Sequence, residues 1–398
     1  METNEQLTHG EKVKVGIVVL QRNVLTDNQS SELQALAESA GGFVCFKIVT
    51  AQSCINPSFF VTPGKVAEVK SARQKYRANL IIFSEELTAV QQRNLTQNIE
   101  CRVIDRVALI LDIFAQRAKS REGKLQVELA QLKYLSTRLI RGWTHLERQR
   151  GGIGLRGPGE TQLETDRRLI AVKVKKLKRD LASVSKQRDN RRKAREKGGA
   201  YSVSLVGYTN SGKSTLFNVF TRAGVYAANQ LFATLDTTSR RVFLGSDQFM
   251  VLSDTVGFIK NLPVGLVESF KATLTETARA DLLIHVIDYS DEKWKEHYDD
   301  VLKVLGEVGA AGIPRLNLFN KIDLTGEDPK VVRDQYGRLE NVWISATDKK
   351  GLDLVKLAVL SFKLIEDPSS GKNAESMPEI YSFGKNRKNV CPSRGSLV

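Results

Sequence analysis

Gly207, Tyr208, Thr209, Asn210, Ser211, Gly212, Lys213 and Ser214 have the spacing of a phosphate-binding loop. In such a loop the two glycines let backbone N–H groups turn inward around phosphate oxygens, and the following helix N-terminus adds its positive dipole end. Lys213 is expected to reach the β and γ oxygens, and the Ser214 hydroxyl to ligate Mg2+. The context is the required one: an apolar strand at Ser202 to Val206 precedes the loop, and a helical stretch at Thr215 to Phe220 follows it.

Three later motifs stand in matching order. Asp254, Thr255, Val256 and Gly257 follow a strand at Phe249 to Leu252. Asp254 is expected to hold Mg2+ through water and the Gly257 N–H to sense a γ-phosphate; taken alone, an aspartate at a strand end reads better as a turn residue. Asn320, Lys321, Ile322 and Asp323 end a strand at Leu316 to Phe319. The Asp323 carboxylate accepts two bonds from guanine N1–H and the exocyclic amine, whereas adenine offers no donors there. Asn320 and the Lys321 stem would support the base. Ser345, Ala346 and Thr347 close a strand starting at Val342, where the backbone would read guanine O6. The ligands expected are therefore GTP and GDP.

A first switch must lie between the loop and Phe249. Phe232, Ala233, Thr234, Leu235 and Asp236 are the candidate, with Thr234 as second Mg2+ ligand. Thr237 and Thr238 are competing hydroxyls that spacing does not exclude. Lys213, Thr234 and Gly257 form the expected catalytic group. Ras-like proteins place a water-orienting glutamine after Gly257, and here Phe258 stands there. Slow intrinsic hydrolysis follows, with strong stimulation by a partner; for Ras the figures are about 10⁻⁴ per second and roughly 10⁵-fold.

These motifs require an α/β Ras-like P-loop G domain, assigned to residues 200–368. Ahead of it, Val13 to Leu20, Phe43 to Val49, Leu80 to Phe83 and Val103 to Asp105 read as strands, alternating with helices at Ser31 to Ser39 and Lys65 to Arg77. That alternation predicts a small α/β docking domain over residues 1–115 with a mainly parallel sheet.

Residues 116–199 read as an antiparallel helical hairpin. Leu125, Leu129, Leu132 and Leu139 share one helical face, and Val174, Leu177, Leu181 and Val184 form a heptad-like seam. Arg150 to Gly159 is too glycine-rich to continue a helix and makes the tip. Thr161 to Glu164 has capping-box spacing for the second helix. Its face carries Arg167, Arg168, Lys173, Lys175, Lys176, Lys178 and Arg179. A basic rod with a thin glycine tip suits structured RNA. Residues 369–398 read as a flexible tail.

The composition agrees. Lys and Arg number 60 against 45 Asp and Glu, a net charge of +15 over 398 residues. Such a field favours phosphate backbones or anionic surfaces as partners. The N-terminus lacks signal-peptide character, no apolar run suffices for membrane insertion, and four scattered cysteines suggest neither zinc nor disulfides. A cytoplasmic monomer is expected.

Cys101 to Arg106, Gly142 to Arg148, Gly151 to Arg168, Phe232 to Asp236, Asp254 to Ile259 and Phe270 to Glu276 together resemble the HflX family of ribosome-associated GTPases over nearly the whole chain. The resemblance implies Thr234 as the switch threonine and an apolar residue at position 258 as normal. It implies binding to the large ribosomal subunit and its ribosomal RNA, GTP-controlled dissociation of stalled or stress-inactivated ribosomes, and secondary ATP hydrolysis in some members. Large-subunit assembly, or RNA remodelling with nucleotide as a conformational ligand, are the alternative functions. The chain departs from the family pattern at Thr237, where proline is frequent.

Overall fold

The computed structural model describes residues 13–21, 28–51, 55–142, 158–196, 201–221, 231–245, 248–259, 277–335 and 339–366. Lys14–Gln21 (β1) is apolar on both faces and buried, as a central parallel strand must be. It pairs in parallel with Phe43–Ala51 (β2) and Leu80–Phe83 (β3), and β3 pairs in parallel with Arg102–Asp105 (β4), giving the order β2-β1-β3-β4. The expected mainly parallel sheet is parallel throughout.

Alternate residues of β1 serve opposite cores. Val15, Ile17 and Val19 pack with Leu33 and Leu36 of α1 (Asn28–Ser39) and with Ile110 and Ile113 of α4 (Arg106–Arg117). Val18 and Leu20 face Val66 and Val69 of α2 (Pro63–Tyr76) and Leu95 and Ile99 of α3 (Ala89–Ile99). Thr88 and Gln91 start α3 as a reciprocal capping box, a local signal the sequence reading passed over.

The hairpin helices are α5 (Arg121–Gly142) and α6 (Pro158–Glu196), packed along each other. On α6, Val174, Leu177, Leu181 and Val184 are buried or half-buried, while Arg167, Arg168, Lys173, Lys175, Lys176, Lys178 and Arg179 are exposed. The expected seam and basic face are thus one helix's two sides. The capping-box expectation at Thr161 is corrected: α6 already begins at Pro158, so Thr161 lies inside the first turn. Proline is tolerated at a first helical position because its missing N–H would have no intrahelical partner there. Residues 143–157, with most of the glycine tip, and 367–398, the tail, lie outside the described residues.

Asp105, fully buried, roots α5 on the N-terminal sheet. Its carboxylate accepts from the Ala108 and Leu87 backbone N–H groups at 2.9 and 3.1 Å, the Tyr134 hydroxyl at 2.8 Å and the Arg138 guanidinium at 2.5 Å. Burial and the adjacent Asp105 charge push the Tyr134 phenol far above its ordinary range, so it stays a donor.

The G domain is a seven-stranded sheet among the described residues, in the order β10-β11-β9-β8-β5-β7-β6. Its strands are β5 (Tyr201–Val206), β6 (Thr238–Gly245), β7 (Gln248–Asp254), β8 (Leu282–Asp288), β9 (Arg315–Asn320), β10 (Val331–Arg333) and β11 (Leu339–Trp343). Among the described residues only the β6–β7 and β10–β11 edge pairs are antiparallel. The domain carries, among the described residues, helices α7 (Lys213–Thr221), α8 (Trp294–Glu307), α9 (Ile322–Thr325) and α10 (Leu352–Glu366). Functional loops therefore leave the carboxyl ends of parallel strands, where this topology places ligands.

The N-terminal unit is not merely tethered. Phe232, Leu235, Val256 and Ile259 of the G domain belong to the same buried cluster as Leu33, Ile110 and Phe114. Phe114 and Phe232 meet edge-on, with ring centroids 4.7 Å apart. Burying a phenylalanine stabilises by about 2–3 kcal/mol, and an edge-on pair adds roughly 1 kcal/mol. The segment expected to be the first switch is thus packed into the N-terminal core.

Candidate active site

The loop at the end of β5 turns through left-handed backbone at Asn210 (φ 62°), with Gly207 at φ 149° and Gly212 at φ 95°. Space excludes side chains at both glycines. A Cβ on Gly207 would stand 2.2 Å from the Val286 carbonyl oxygen, and one on Gly212 2.1 Å from the Asn320 amide nitrogen. Lys213 Nζ donates to the Gly207 and Tyr208 carbonyl oxygens at 3.1 and 2.6 Å. Burial, only partly offset by Asp254, draws the Lys213 ammonium down to about 8.

Three oxygens converge beside it. Ser214 Oγ and Thr234 Oγ1 lie 2.7 Å apart, and each donates to Asp254 Oδ2, at 2.8 and 2.9 Å. Asp254 is fully buried, its Oδ1 has no protein hydrogen-bond partner, and burial pushes its carboxyl above the ordinary range. Two hydroxyls and a carboxylate are hard oxygen donors of the kind Mg2+ takes, with water and phosphate filling its octahedron. Among the described residues no cluster of three His, Cys, Asp or Glu forms a rival metal site. The donor set fits magnesium. The hydroxyl of Thr234, the residue expected as the switch threonine, is brought to Asp254.

Gly257 lies across from the loop, where a Cβ would stand 2.9 Å from Thr209 and 3.1 Å from Lys213 Nζ. Phe258 is held by two backbone hydrogen bonds, Thr209 N–H to its carbonyl at 2.7 Å and its own N–H to Gly207 at 3.1 Å. Its ring is buried among Val206, Leu283, Val301 and Leu305. It orients no water.

At the base end, Asn320 clamps two loops. Its amide donates to the Ser211 carbonyl at 2.9 Å, and its oxygen accepts from the Ala346 N–H at 3.0 Å. Lys321, in left-handed backbone, pairs with Asp288 at 2.6 Å. Asp323 is exposed on the first turn of α9, and Thr347 is exposed past the buried Ser345 and Ala346.

Several expected nucleotide contacts have side chains engaged elsewhere. Phe232, Leu235 and Val256 fill the shared core, Ile322 is fully buried, and the Thr255 hydroxyl donates to the Leu205 carbonyl at 2.6 Å. Of these, Phe232 and Thr255 still line the cleft beside Lys213 and Thr234. Tyr208 stacks on His297 with centroids 3.9 Å apart and donates to Glu32 at 3.2 Å. Asp236 is the clearest departure. Its carboxylate accepts from the Lys119 and Ser120 N–H groups at 2.7 Å each and from the Ser120 hydroxyl at 2.5 Å. Those partners are 116 and 117 residues away, and no local pattern announces them.

Thr209, Asn210, Gly212, Lys213, Ser214, Ala233, Thr234 and Gly257 share a cleft of about 40 Å³, the phosphate and metal corner. A larger cavity of about 330 Å³ lies between α1 and the outer side of the loop, lined by Glu32, Tyr208, His285 and His297 but not by Lys213 or Asp254. Size does not mark the chemistry here.

Comparison with known proteins decides the lineage. The family "GTP-binding GTPase N-terminal" matches residues 27–115, "GTP-binding GTPase Middle Region" residues 117–195, and "50S ribosome-binding GTPase" residues 202–321. The GTPase HflX of Escherichia coli K12 is 50% identical over 343 residues, covering 86% of this chain and 80% of that protein. The chain belongs to the HflX family of GTPases. The HflX GTPase of Caldanaerobacter subterraneus is 42% identical over 369 residues, covering 92% of this chain and 83% of its own length. A solved structure, "crystal structure of SsGBP and GDP complex", aligns over 88% of this chain and 99% of its own, at 24% identity and TM-score 0.49, too loosely to carry residue roles. As an HflX GTPase the chain hydrolyses GTP.

Proposed function

We propose that this GTPase binds the large ribosomal subunit through its hairpin and dissociates stalled or stress-inactivated ribosomes when GTP orders its switch. The observation that carries the reading is the mounting of α6. Its exposed Arg167, Arg168, Lys173, Lys175, Lys176, Lys178 and Arg179 face outward, while the helix pair is rooted in the same N-terminal core that holds Phe232 and Leu235. A cationic rod is thereby attached to the segment that senses nucleotide. The description "50S ribosome-binding GTPase" for the matching G-domain family supports the partner.

In this reading, Gly207 to Ser214 cradle the phosphates, with Lys213 on the β and γ oxygens. Ser214 and Thr234 would hold Mg2+, with Asp254 behind them, and the Gly257 N–H would report the γ-phosphate. Bound magnesium would neutralise charge developing on the β–γ bridge. Asn320, Lys321 and Asp323 take guanine, with Ser345, Ala346 and Thr347 closing over O6. With Phe258 buried, water is oriented only once the ribosome completes the site. The chain acts in the cytoplasm as a monomer, and among the described residues no helix is long and apolar enough to cross a membrane.

Co-sedimentation with purified large subunits tests the partner. Binding is expected with a non-hydrolysable GTP analogue and weak with GDP. Reversing Lys173, Lys176 and Arg179 to Glu should cost affinity and lower the salt slope by about one unit per phosphate contact removed. Equal binding by that variant removes the hairpin from the interface.

A further inference from the structure

Asp236 stands two residues beyond Thr234, yet its carboxylate leaves the nucleotide site and docks on the two residues that lead into α5. There it meets two backbone N–H groups, of Lys119 and Ser120, and the Ser120 hydroxyl, whose Oγ in turn accepts from the Gly123 N–H at 2.8 Å. An anion at a helix N-terminus satisfies donors that have no intrahelical acceptor and meets the positive end of the dipole. A second observation is independent of these bonds. Gly123 is buried, and a Cβ added there would stand 2.1 Å from Asp236 Oδ1, so α5 is shaped to admit this carboxylate. On either side the segment is pinned to the same domain: the Leu231 N–H donates to Ser39 Oγ at 3.0 Å, and Phe232 meets Phe114.

We propose that Asp236 is a positioning residue for GTP hydrolysis: by holding Lys119 and Ser120, where the chain enters α5, across the domain boundary it keeps Thr234 at the magnesium site, so the hairpin root and the catalytic switch are mechanically one piece. Thr234 is the group whose contribution exists only when the γ-phosphate and its metal are present. Asp236 therefore favours the GTP-bound arrangement over the GDP-bound one. Displacing α5 along its axis pulls on a residue two positions from a metal ligand. Transmission of a ribosomal signal through this route rests on the ribosome reading above; the positioning role does not.

The test uses the full-length chain without ribosomes. Three variants are compared: Asp236→Ala, Asp236→Asn and Gly123→Ala. The last lies in the other domain and replaces glycine by the best helix former, so the fold is kept while the carboxylate is expelled. Affinities for fluorescent GDP and a fluorescent non-hydrolysable GTP analogue are measured beside single-turnover hydrolysis and thermal melting. Asp236→Ala and Gly123→Ala are expected to lose roughly tenfold in GTP-analogue affinity and in hydrolysis, the scale of losing hydrogen bonds to a charged group. GDP affinity should stay within about twofold on the same grounds, because the lost group serves the γ-phosphate state. Asp236→Asn, which keeps an acceptor oxygen for the two N–H groups, should recover part of the loss. Equal losses for both nucleotides, or wild-type behaviour of Gly123→Ala, overturns the proposal.

Discussion

Replacing Arg138 by Met, which keeps the apolar stem and removes the guanidinium, should loosen the hairpin at its root. The carboxylate left behind is fully buried, and Arg138 is its cationic partner at 2.5 Å. Breaking a buried ion pair from one side costs about 3–5 kcal/mol. The low end applies here, because the Ala108 and Leu87 N–H groups and the Tyr134 hydroxyl still donate to Asp105. Arg138 also donates to the Leu87 carbonyl at 2.9 Å and to Gln92 at 3.0 Å, and it stacks 3.6 Å over Tyr134, so the loss should not fall below that end. An opening free energy lowered by about 3 kcal/mol speeds amide exchange roughly 150-fold where opening is at equilibrium. Hydrogen–deuterium exchange of the α5 peptide covering residues 125–138 is the assay, with β8 and β9 of the G domain as internal reference. Combining Arg138→Met with Asp105→Asn should recover part of the loss, because two damaged partners no longer leave a buried charge. Acceleration under tenfold in α5, or equal acceleration in β8 and β9, would refute this account of the root.

Three further outcomes are expected. Thr234→Ala should slow single-turnover hydrolysis about 10²-fold with GDP affinity intact, whereas Thr237→Ala should stay within about twofold; the reverse pattern would reassign the switch ligand. Asp323→Asn should weaken GTP binding by about 10³-fold, somewhat less than for a fully enclosed site because Asp323 is exposed, and should shift preference toward xanthine nucleotide; GTP affinity within tenfold of the parent would deny Asp323 its base contact. His285, fully buried and stacked on Tyr298, is drawn down to about 3 chiefly by burial and then by Arg315 and Lys213. The unfolded chain, whose histidine titrates near 6.5, binds the proton first, so stability falls as pH drops from about 6.5 toward 3, by on the order of 2 kcal/mol at pH 5. His285→Leu should flatten that decline in thermal melts between pH 7 and 5, and an unchanged slope would place the acid sensitivity elsewhere.

What the residues disclosed follows from how far apart the interacting groups are. The loop from Gly207 to Ser214 was legible because phosphate geometry dictates its spacing and a strand and helix must flank it. Val174, Leu177, Leu181 and Val184 were legible because helix periodicity repeats locally. The pairing of Asp236 with Ser120, by contrast, spans 116 residues and leaves no periodic trace. The same holds for Arg138 with Asp105, and for Phe232 with Phe114. Asp105 lay inside a segment singled out for its resemblance, but its role as root of α5 required the three-dimensional neighbours. Thr161 misled for a different reason: its capping-box spacing was genuine, but a proline three residues earlier had already started the helix. The interface between the domains was the largest feature missed, because Phe232 and Leu235 read as switch residues and not as core.

Mixing the purified chain with intact ribosomes and a non-hydrolysable GTP analogue, and following light scattering, tests GTP-controlled splitting most directly. Scattering should fall as subunits separate, should not fall with GDP, and should not fall when residues 151–159 are deleted or Lys213 is replaced by Ala. Constant scattering with the analogue, alongside GTP turnover that isolated large subunits still stimulate, would contradict splitting by this chain alone and assign it to large-subunit assembly.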